Sequence, residues 1–476
     1  MVQRTEEQNP MELSRRQFVK TAGSAAAWTV AAGTTAAGTL APEGNRIPIQ
    51  PVTIERVDSG FEREPLIRPF GFKGGYMTEI WQTIAMMRSA SGHEEAGLCT
   101  QNVLWSDATV FAGHSEAGGN AIMYAVSERA LQMVRGQTFT TPPDLLDQIL
   151  EEVYAYAKKI SSNPDLRKTF ALNALVGVDN AAWLLHAAEN GIENFDDLIP
   201  GAYRPALSHH HEMVASIPLM AYSIPISEIR QAAEAGYFFM KIKIGQPGTQ
   251  EEMLEKDMER LTDIHRAIGH METPYTENGK LPYYFDANGR YQHRETLLRL
   301  LDHARKIGAF DQIAIIEEPF PEELEVRVDD LGVRIAADES AHTDRDAIER
   351  MEMGYSAIAL KAIAKTLSMT MKIARAAHER NVPCFCADLT VNPILVEWNK
   401  AVAARLAPFP GLGLGLLETN GHQNYRNWET MVSYHPYPDA EWRKTKNGVF
   451  HLGRDYYKKS GGIFAGSPHY RKMLKF

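Results

Sequence analysis

Apolar residues in the second half of the chain fall into short runs, and most of these runs end on or beside a charged residue. The runs at 217–222, 239–244, 283–287, 313–317, 333–337, 357–360, 382–387 and 412–417 predict strands. Between most of them the apolar positions recur at helical spacing, over 226–235, 250–268, 295–307, 344–353, 367–380 and 393–406. Eight strands alternating with helices over about 200 residues predict an α/β fold, a (β/α)8 TIM barrel spanning 216–418. A doubly wound open sheet would need a Gly-rich phosphate turn after its first strand, and none follows.

The first half reads differently. Residues 50–198 have an α+β pattern, with strand-like alternation over 77–90 and 96–111 and helical spacing over 120–135, 142–160 and 165–190. The last of these is apolar at helical spacing through 174–183, which predicts a packing helix. Residues 200–215, with His209, His210 and His211, read as an exposed connector, because consecutive side chains do not converge on one ligand. The segment 419–476, rich in Tyr, Trp, Gly and His, is expected to pack back on the barrel or on the first module.

The amino terminus stands apart. Arg15 and Arg16 precede Gln17-Phe18-Val19-Lys20 and a weakly apolar stretch of Ala, Gly and Thr that ends near Ala41. This pattern, over 1–41, predicts a Tat-type signal, and with it an encounter with the Tat export machinery and a periplasmic location, or membrane association if the signal is uncleaved. Only Cys99, Cys384 and Cys386 occur, an odd count without a disulfide framework. Cys384 and Cys386 lie two apart on a strand-like run and are expected to be small core residues. The chain carries 44% hydrophobic and 23% charged residues, proportions of a globular enzyme. Its formal charge of −10 argues against nucleic-acid binding, for which a basic face is expected.

Parity along the strands gives the chemistry its shape. Lys241 and Lys243 share one face of their strand, which places both inside the barrel mouth. Asp286, Glu317 and Asp338 end strands three, four and five, where three oxygens can meet at one point; parity favours Glu317 over Glu318. Lys361 ends strand six, across the ring from Lys243 on strand two. Removing a proton from the carbon beside a carboxylate concentrates negative charge on the carboxylate oxygens. A hard cation such as Mg²⁺, with Mn²⁺ as an alternative, offsets that charge when held by carboxylates. A lysine can act as base only when neutral, and a second ammonium at Lys241 is expected to favour that state in Lys243. With one base on each face, a proton removed from one side can be returned from the other.

These residues resemble the enolase superfamily, in particular its muconate lactonizing enzyme and dipeptide epimerase branch. The matches are Lys241-Ile242-Lys243 for K-x-K, Asp286-Ala287-Asn288 for D-x-N, Glu317-Glu318-Pro319 for E-x-P, Asp338-Glu339-Ser340 for D-E-S, and Lys361 for the distal lysine. The resemblance implies that 50–198 is a cap over the barrel, with a substrate-shaping loop near residues 70–76. It also implies Lys243 and Lys361 as opposed acid/base groups, a Mg²⁺ ion on Asp286, Glu317 and Asp338, and a homo-oligomer. Lys241, Asn288, Glu339, Asp388 and Glu418 are then expected to contact substrate or to support the ligands.

Two departures stand out. A Gly-Gly pair common after the distal lysine is replaced by Thr366-Leu367-Ser368, with Lys365 before it. Asp388 stands where mandelate racemase relatives place a histidine base. The activity expected is racemisation or epimerisation of a small carboxylate, an amino-acid derivative or dipeptide, through a metal-stabilised enolate. The alternatives are a dehydratase or cycloisomerase on the same scaffold, or a non-catalytic exported carboxylate-binding protein.

Overall fold

In the computed structural model, which describes residues 49–72 and 75–475, the cap begins with a long antiparallel hairpin, β1 (Val52–Phe72) and β2 (Gly75–Ser89). β3 (Glu94–Gln101) pairs with β2, and the two-residue β4 (Thr138–Phe139) pairs with the start of β1. The signal reading for 1–41 lies outside the described residues, as do Lys73 and Gly74 of the expected substrate-shaping loop.

The strand expected over 96–111 ends at Gln101. Two short helices follow, α1 (Val103–Ser106) and α2 (Ala108–Gly113). The cause is local: the Asn102 side chain accepts from Trp105 N, and Asp107 accepts from Thr109 N and Val110 N, so each polar residue satisfies helix-starting donors. Next come α3 (Glu116–Val134), α4 (Pro142–Ser161) and α5 (Lys168–Asn190), close to their expected spans. α5 is buried from Thr169 to Ala187, as a helix apolar on all sides must be. It lies so close to β3 that a Cβ at Gly97 would meet Gly177 O and Ala181 N at 2.2 Å.

The barrel strands are β5 (Met213–Ile217), β6 (Leu219–Met220), β7 (Met240–Lys243), β8 (Tyr283–Asp286), β9 (Ile313–Glu317), β10 (Ile335–Ala337), β11 (Ala357–Leu360), β12 (Cys384–Cys386) and β13 (Gly415–Glu418). From β7 to β13 each is hydrogen-bonded in parallel to the next. The ring closes through one chain segment broken at Pro218: β5 pairs with β13, and β6 pairs with β7. Strand one was expected over 217–222. It begins earlier and is interrupted because proline offers no N–H to a ladder.

The barrel helices are α6 (Ile226–Glu234), α7 (Gln250–Ile268), α8 (Arg294–Ile307), α9 (Asp344–Glu352), α10 (Leu367–His378) and α11 (Pro393–Ala403). Between β9 and β10, residues 318–334 carry no helix.

A terminal hairpin, β14 (Thr445–Lys446) and β15 (Val449–His451), adds antiparallel to β5. Elsewhere the tail reaches the cap: Arg426 N donates to Pro65 O at 3.0 Å and Asn427 Nδ2 to Glu64 at 3.0 Å. Cys99, Cys384 and Cys386 are free and buried. Only part of the histidine run is exposed. His211 is buried and its Nε2 lies 3.0 Å from Leu406 O, so this residue anchors the connector to the barrel.

Candidate active site

Each strand end delivers its side chain to one mouth. The register sets Lys243 beside Asp286 and Asp286 beside Glu317 as Cα partners on adjacent strands. Lys241, Lys243, Asp286, Asn288, Asp338, Glu339, Lys361, Asp388 and Glu418 line a single cavity, roofed by Phe70, Phe72, Met77 and Trp105 from the cap. β7, which ends on Lys243, and β11, which Lys361 directly follows, stand four places apart in the ring of eight, counting β5 and β6 as one strand.

Lys241 sits among acids. Its Nζ lies 2.9 Å from Asp286 Oδ2, 2.8 Å from Glu317 Oε1 and 3.2 Å from Glu418 Oε2. Burial alone would push this ammonium down, but the three carboxylates outweigh it and hold Lys241 well above the ordinary lysine value. Lys243 Nζ donates to the same Asp286 oxygen and to Asn288 Oδ1, both at 2.6 Å. Asn288 Nδ2 then donates to Glu339 Oε1 at 3.0 Å. Burial would raise Asp286, yet Lys241 and Lys243 together hold it far below the carboxylate range. On the opposite side Lys361 Nζ donates to Asp338 Oδ2 and lies 4.2 Å from the centre of the Trp105 ring. Burial would lower Lys361, and the Asp338 carboxylate beside it raises it instead; Asp338 itself falls to about 2.

The cluster has more acid than its lysines answer. Glu317 is held well above the ordinary carboxyl value by burial, against the opposing charge of Lys241, with the charges of Asp286 and Asp338 adding to the rise. Asp338 Oδ1 and Glu339 Oε2 are buried without a hydrogen-bond partner among the described residues, though Lys365 Nζ stands 3.5 Å from the former. Glu317, Asp338 and Glu339 present oxygens within 4.8 Å of one another, which fits a divalent cation. Glu339, expected to stand behind the ligands, thus joins the converging group, whereas Asp286 is engaged by two lysines. Glu318 turns away: its Oε2 accepts from Asp338 N at 2.7 Å, and burial beside Glu339 raises it to about 7.

Backbone strain collects at this rim. Asn288, Glu318, Thr366 and Thr390, in the segments after β8, β9, β11 and β12, all have φ between 42° and 71°. Such angles are uncommon for residues other than glycine, and least so tolerated by β-branched threonine.

Several contributors escaped the sequence reading. Tyr284, whose hydroxyl donates to Glu317, was accessible, because it shares the face of Asp286 two residues on. Lys365 passes beneath the Asp338 turn and donates to Asp338 O at 2.6 Å and Ala341 O at 2.9 Å. Cap residues pin the loop after β11. Asp179 on α5 accepts from Ser368 N at 3.0 Å and from its hydroxyl, and Trp183 Nε1 donates to Ser368 Oγ at 3.1 Å. Arg167, at the start of α5, pairs with Glu322 in the loop after β9, and His342 Nε2 lies 3.2 Å from the same carboxylate.

On the far side of the cavity, Asp388 Oδ2 accepts from Asn420 N at 2.7 Å, and Glu418 Oε2 accepts from Asp388 N at 3.0 Å. Burial and the Glu418 charge raise Asp388 to about 7.

A capped (β/α)8 barrel with acids on three successive strand ends and lysines across the mouth has the groups that metal-assisted removal of a proton from carbon requires. Residues 226–420 match the family described as enolase C-terminal domain-like. No curated protein matches the chain.

Among solved structures, a mandelate racemase/muconate lactonizing protein from Herpetosiphon aurantiacus is similar at 15% identity and a TM-score of 0.58, over 86% of this chain and 97% of that one. A dipeptide epimerase from Cytophaga hutchinsonii, in complex with Mg and D-Ala-L-Val, is similar at 17% identity and a TM-score of 0.55, over 79% and 88%. An L-talarate dehydratase from Polaromonas sp. JS666, in complex with Mg and L-glucarate, is similar at 17% identity and 0.58, over 85% and 93%. At these identities the likeness is one of fold.

Proposed function

We propose that the protein is a racemase or epimerase that takes the α-proton from a small carboxylate, an amino-acid derivative or dipeptide. The observation that carries this reading is the placement of Lys243 and Lys361, from strands on opposite sides of the ring, around one cavity. One lysine removes the proton from its face of the α carbon, and the other delivers a proton to the opposite face, inverting the centre.

Glu317 and Asp338 would hold a Mg²⁺ ion, with Asp286 as third ligand and Glu339 converging on the same point; Mn²⁺ would serve in its place. When bound, the ion offsets the charge that gathers on the substrate carboxylate as the proton leaves. Lys241, fixed by three acids, adds a permanent positive charge beside that carboxylate. Asn288 orients Lys243 and Glu339 together. The Asp388 carboxylate, which lacks a lysine partner, faces the remainder of the substrate. The twin-arginine pair supports export of the folded protein by the Tat route.

The test is exchange in D₂O with Mg²⁺ present, using both α-enantiomers of a panel of dipeptides and N-acyl amino acids. Wild type should label each substrate and its epimer. Lys243→Ala and Lys361→Ala should each lose roughly 10²–10⁴-fold in epimerisation. Each should still exchange the one enantiomer whose proton faces the surviving lysine. Loss of exchange from neither enantiomer in Lys361→Ala would remove the two-base assignment.

One observation favours a second reading. Asp388, raised to about 7 and lining the cavity, has a proton to give to a leaving hydroxyl, as an elimination requires. Formation of a dehydrated product from a hydroxy-acid panel, abolished in Asp388→Asn, would select a dehydratase.

A further inference from the structure

We infer that Trp105, a residue of the cap, is the positioning residue for the amine of Lys361, so that the cap completes one of the two acid/base groups. The inference rests on the two-base reading above and assigns to this side of the cavity a part the barrel does not supply. Lysine has a long flexible stem, and its amine acts on a carbon only if held in place.

The two lysines are held differently. Lys243 Nζ has two acceptors on the barrel, Asp286 Oδ2 and Asn288 Oδ1, so engagement of Asp286 elsewhere leaves Asn288 to fix it, and the nearest cap ring, Phe72, stands farther off at 5.8 Å. Lys361 Nζ has one acceptor among the described residues, Asp338 Oδ2, and Asp338 belongs to the group that would hold the cation. The face of the Trp105 ring, 4.2 Å away, is its other defined contact and one that a cation on Asp338 would not compete for.

The ring has a rigid mount. Trp105 lies on α1, where its backbone N–H donates to Asn102 Oδ1 at 3.1 Å. Asn173 of α5 accepts from Asn102 N at 2.9 Å and from the Ser106 hydroxyl at 3.1 Å, and Thr169 Oγ1 donates to Ser106 O at 2.9 Å. Every side chain in this chain of contacts is buried. The ring is therefore fixed to the cap core and presented to the barrel lysine.

The test compares Trp105→Leu and Trp105→Phe in the full protein with Mg²⁺ present. Deuterium exchange is measured from each enantiomer separately, the enantiomer served by Lys361 being the one that Lys361→Ala stops exchanging. Trp105→Leu should slow exchange at that face about tenfold, the rate equivalent of a desolvated cation–π contact, and leave the Lys243 face within twofold. Trp105→Phe, which keeps an aromatic face, should recover most of the loss. An equal loss at both faces, or no loss, overturns the proposal.

A second readout does not depend on turnover: amine labelling by reductive methylation, resolved by mass spectrometry. Trp105→Leu should raise modification of Lys361 relative to Lys243, and an unchanged ratio also overturns the proposal. If wild type exchanges neither enantiomer, the proposed function fails, and the labelling ratio still decides the role of Trp105.

Discussion

The hydrogen bonds of Lys243 are supplied by the barrel alone, with the cap's Phe72 ring standing off at 5.8 Å, whereas the Lys361 side is built by barrel and cap together, the Trp105 ring lying 4.2 Å from its amine. Lys243, Asp286, Asn288, Glu317 and Glu339 all come from consecutive strand ends and support one another. The loop after β11 is held by Trp105, Asp179 and Trp183, three residues of the first module. The hydrogen bonds of one reacting group are thus intrinsic to the scaffold, while its counterpart depends more closely on how two modules dock. A cap that changes its docking can alter one face of the chemistry and spare the other.

Substitutions sharpen or break this contrast. Asn288→Ala should give the largest effect, a loss of about 10–100-fold in exchange at the Lys243 face, since it removes a group that orients both a base and a carboxylate near the cation. An equal loss at the Lys361 face would show that the two sides are not independent. Asp179→Ala removes the carboxylate that caps α10 through Ser368, and should cost about 1 kcal/mol of stability in urea unfolding. The same variant should slow exchange at the Lys361 face more than at the other.

The smallest effect is on pH, and it tests the connector and the tail rather than the mouth. His211 and His435 are held at about 4 and about 3 by burial, with His209 adding to the first shift and Arg443 and Lys400 to the second. The unfolded chain, with histidines near about 6.5, takes up protons first as the pH falls. Their contribution to stability is therefore complete above pH 6.5 and is lost progressively toward pH 4, which urea midpoints across that window will read. His211→Gln should flatten the slope.

The intrinsic side was also the legible side. Lys241-Ile242-Lys243, Asp286, Glu317 and Asp338 could be placed because strand side chains alternate, so a charge at the end of an apolar run must face either the mouth or the helices. Tyr284 obeys the same parity. Trp105 could not be found this way. It follows an alternating strand, and only the capping of α1 by Asn102 turns it from a strand position into a helical one. Asp179 sits inside a helix that reads as pure packing, and nothing along the chain says that its carboxylate reaches Ser368. Lys365 stands next to a departure from the family pattern, which signalled a difference without indicating where the amine goes. Glu339 lies two residues past the end of β10, where parity no longer applies. What depends on period-two geometry could be read, and what depends on one module meeting another could not.

The split first strand constrains the order in which the molecule can form. β5, near residue 215, is bonded on one side to β13 and on the other to β15, so its ladder waits for chain made more than two hundred positions later. Pairings so distant in sequence form slowly, and a nascent chain cannot shut its ring before β13 has been made, while the terminal hairpin covers the other edge of β5 later still. A protein shortened by its last thirty or so residues would retain every ionisable group of the mouth and still leave one edge of that strand open to aggregation.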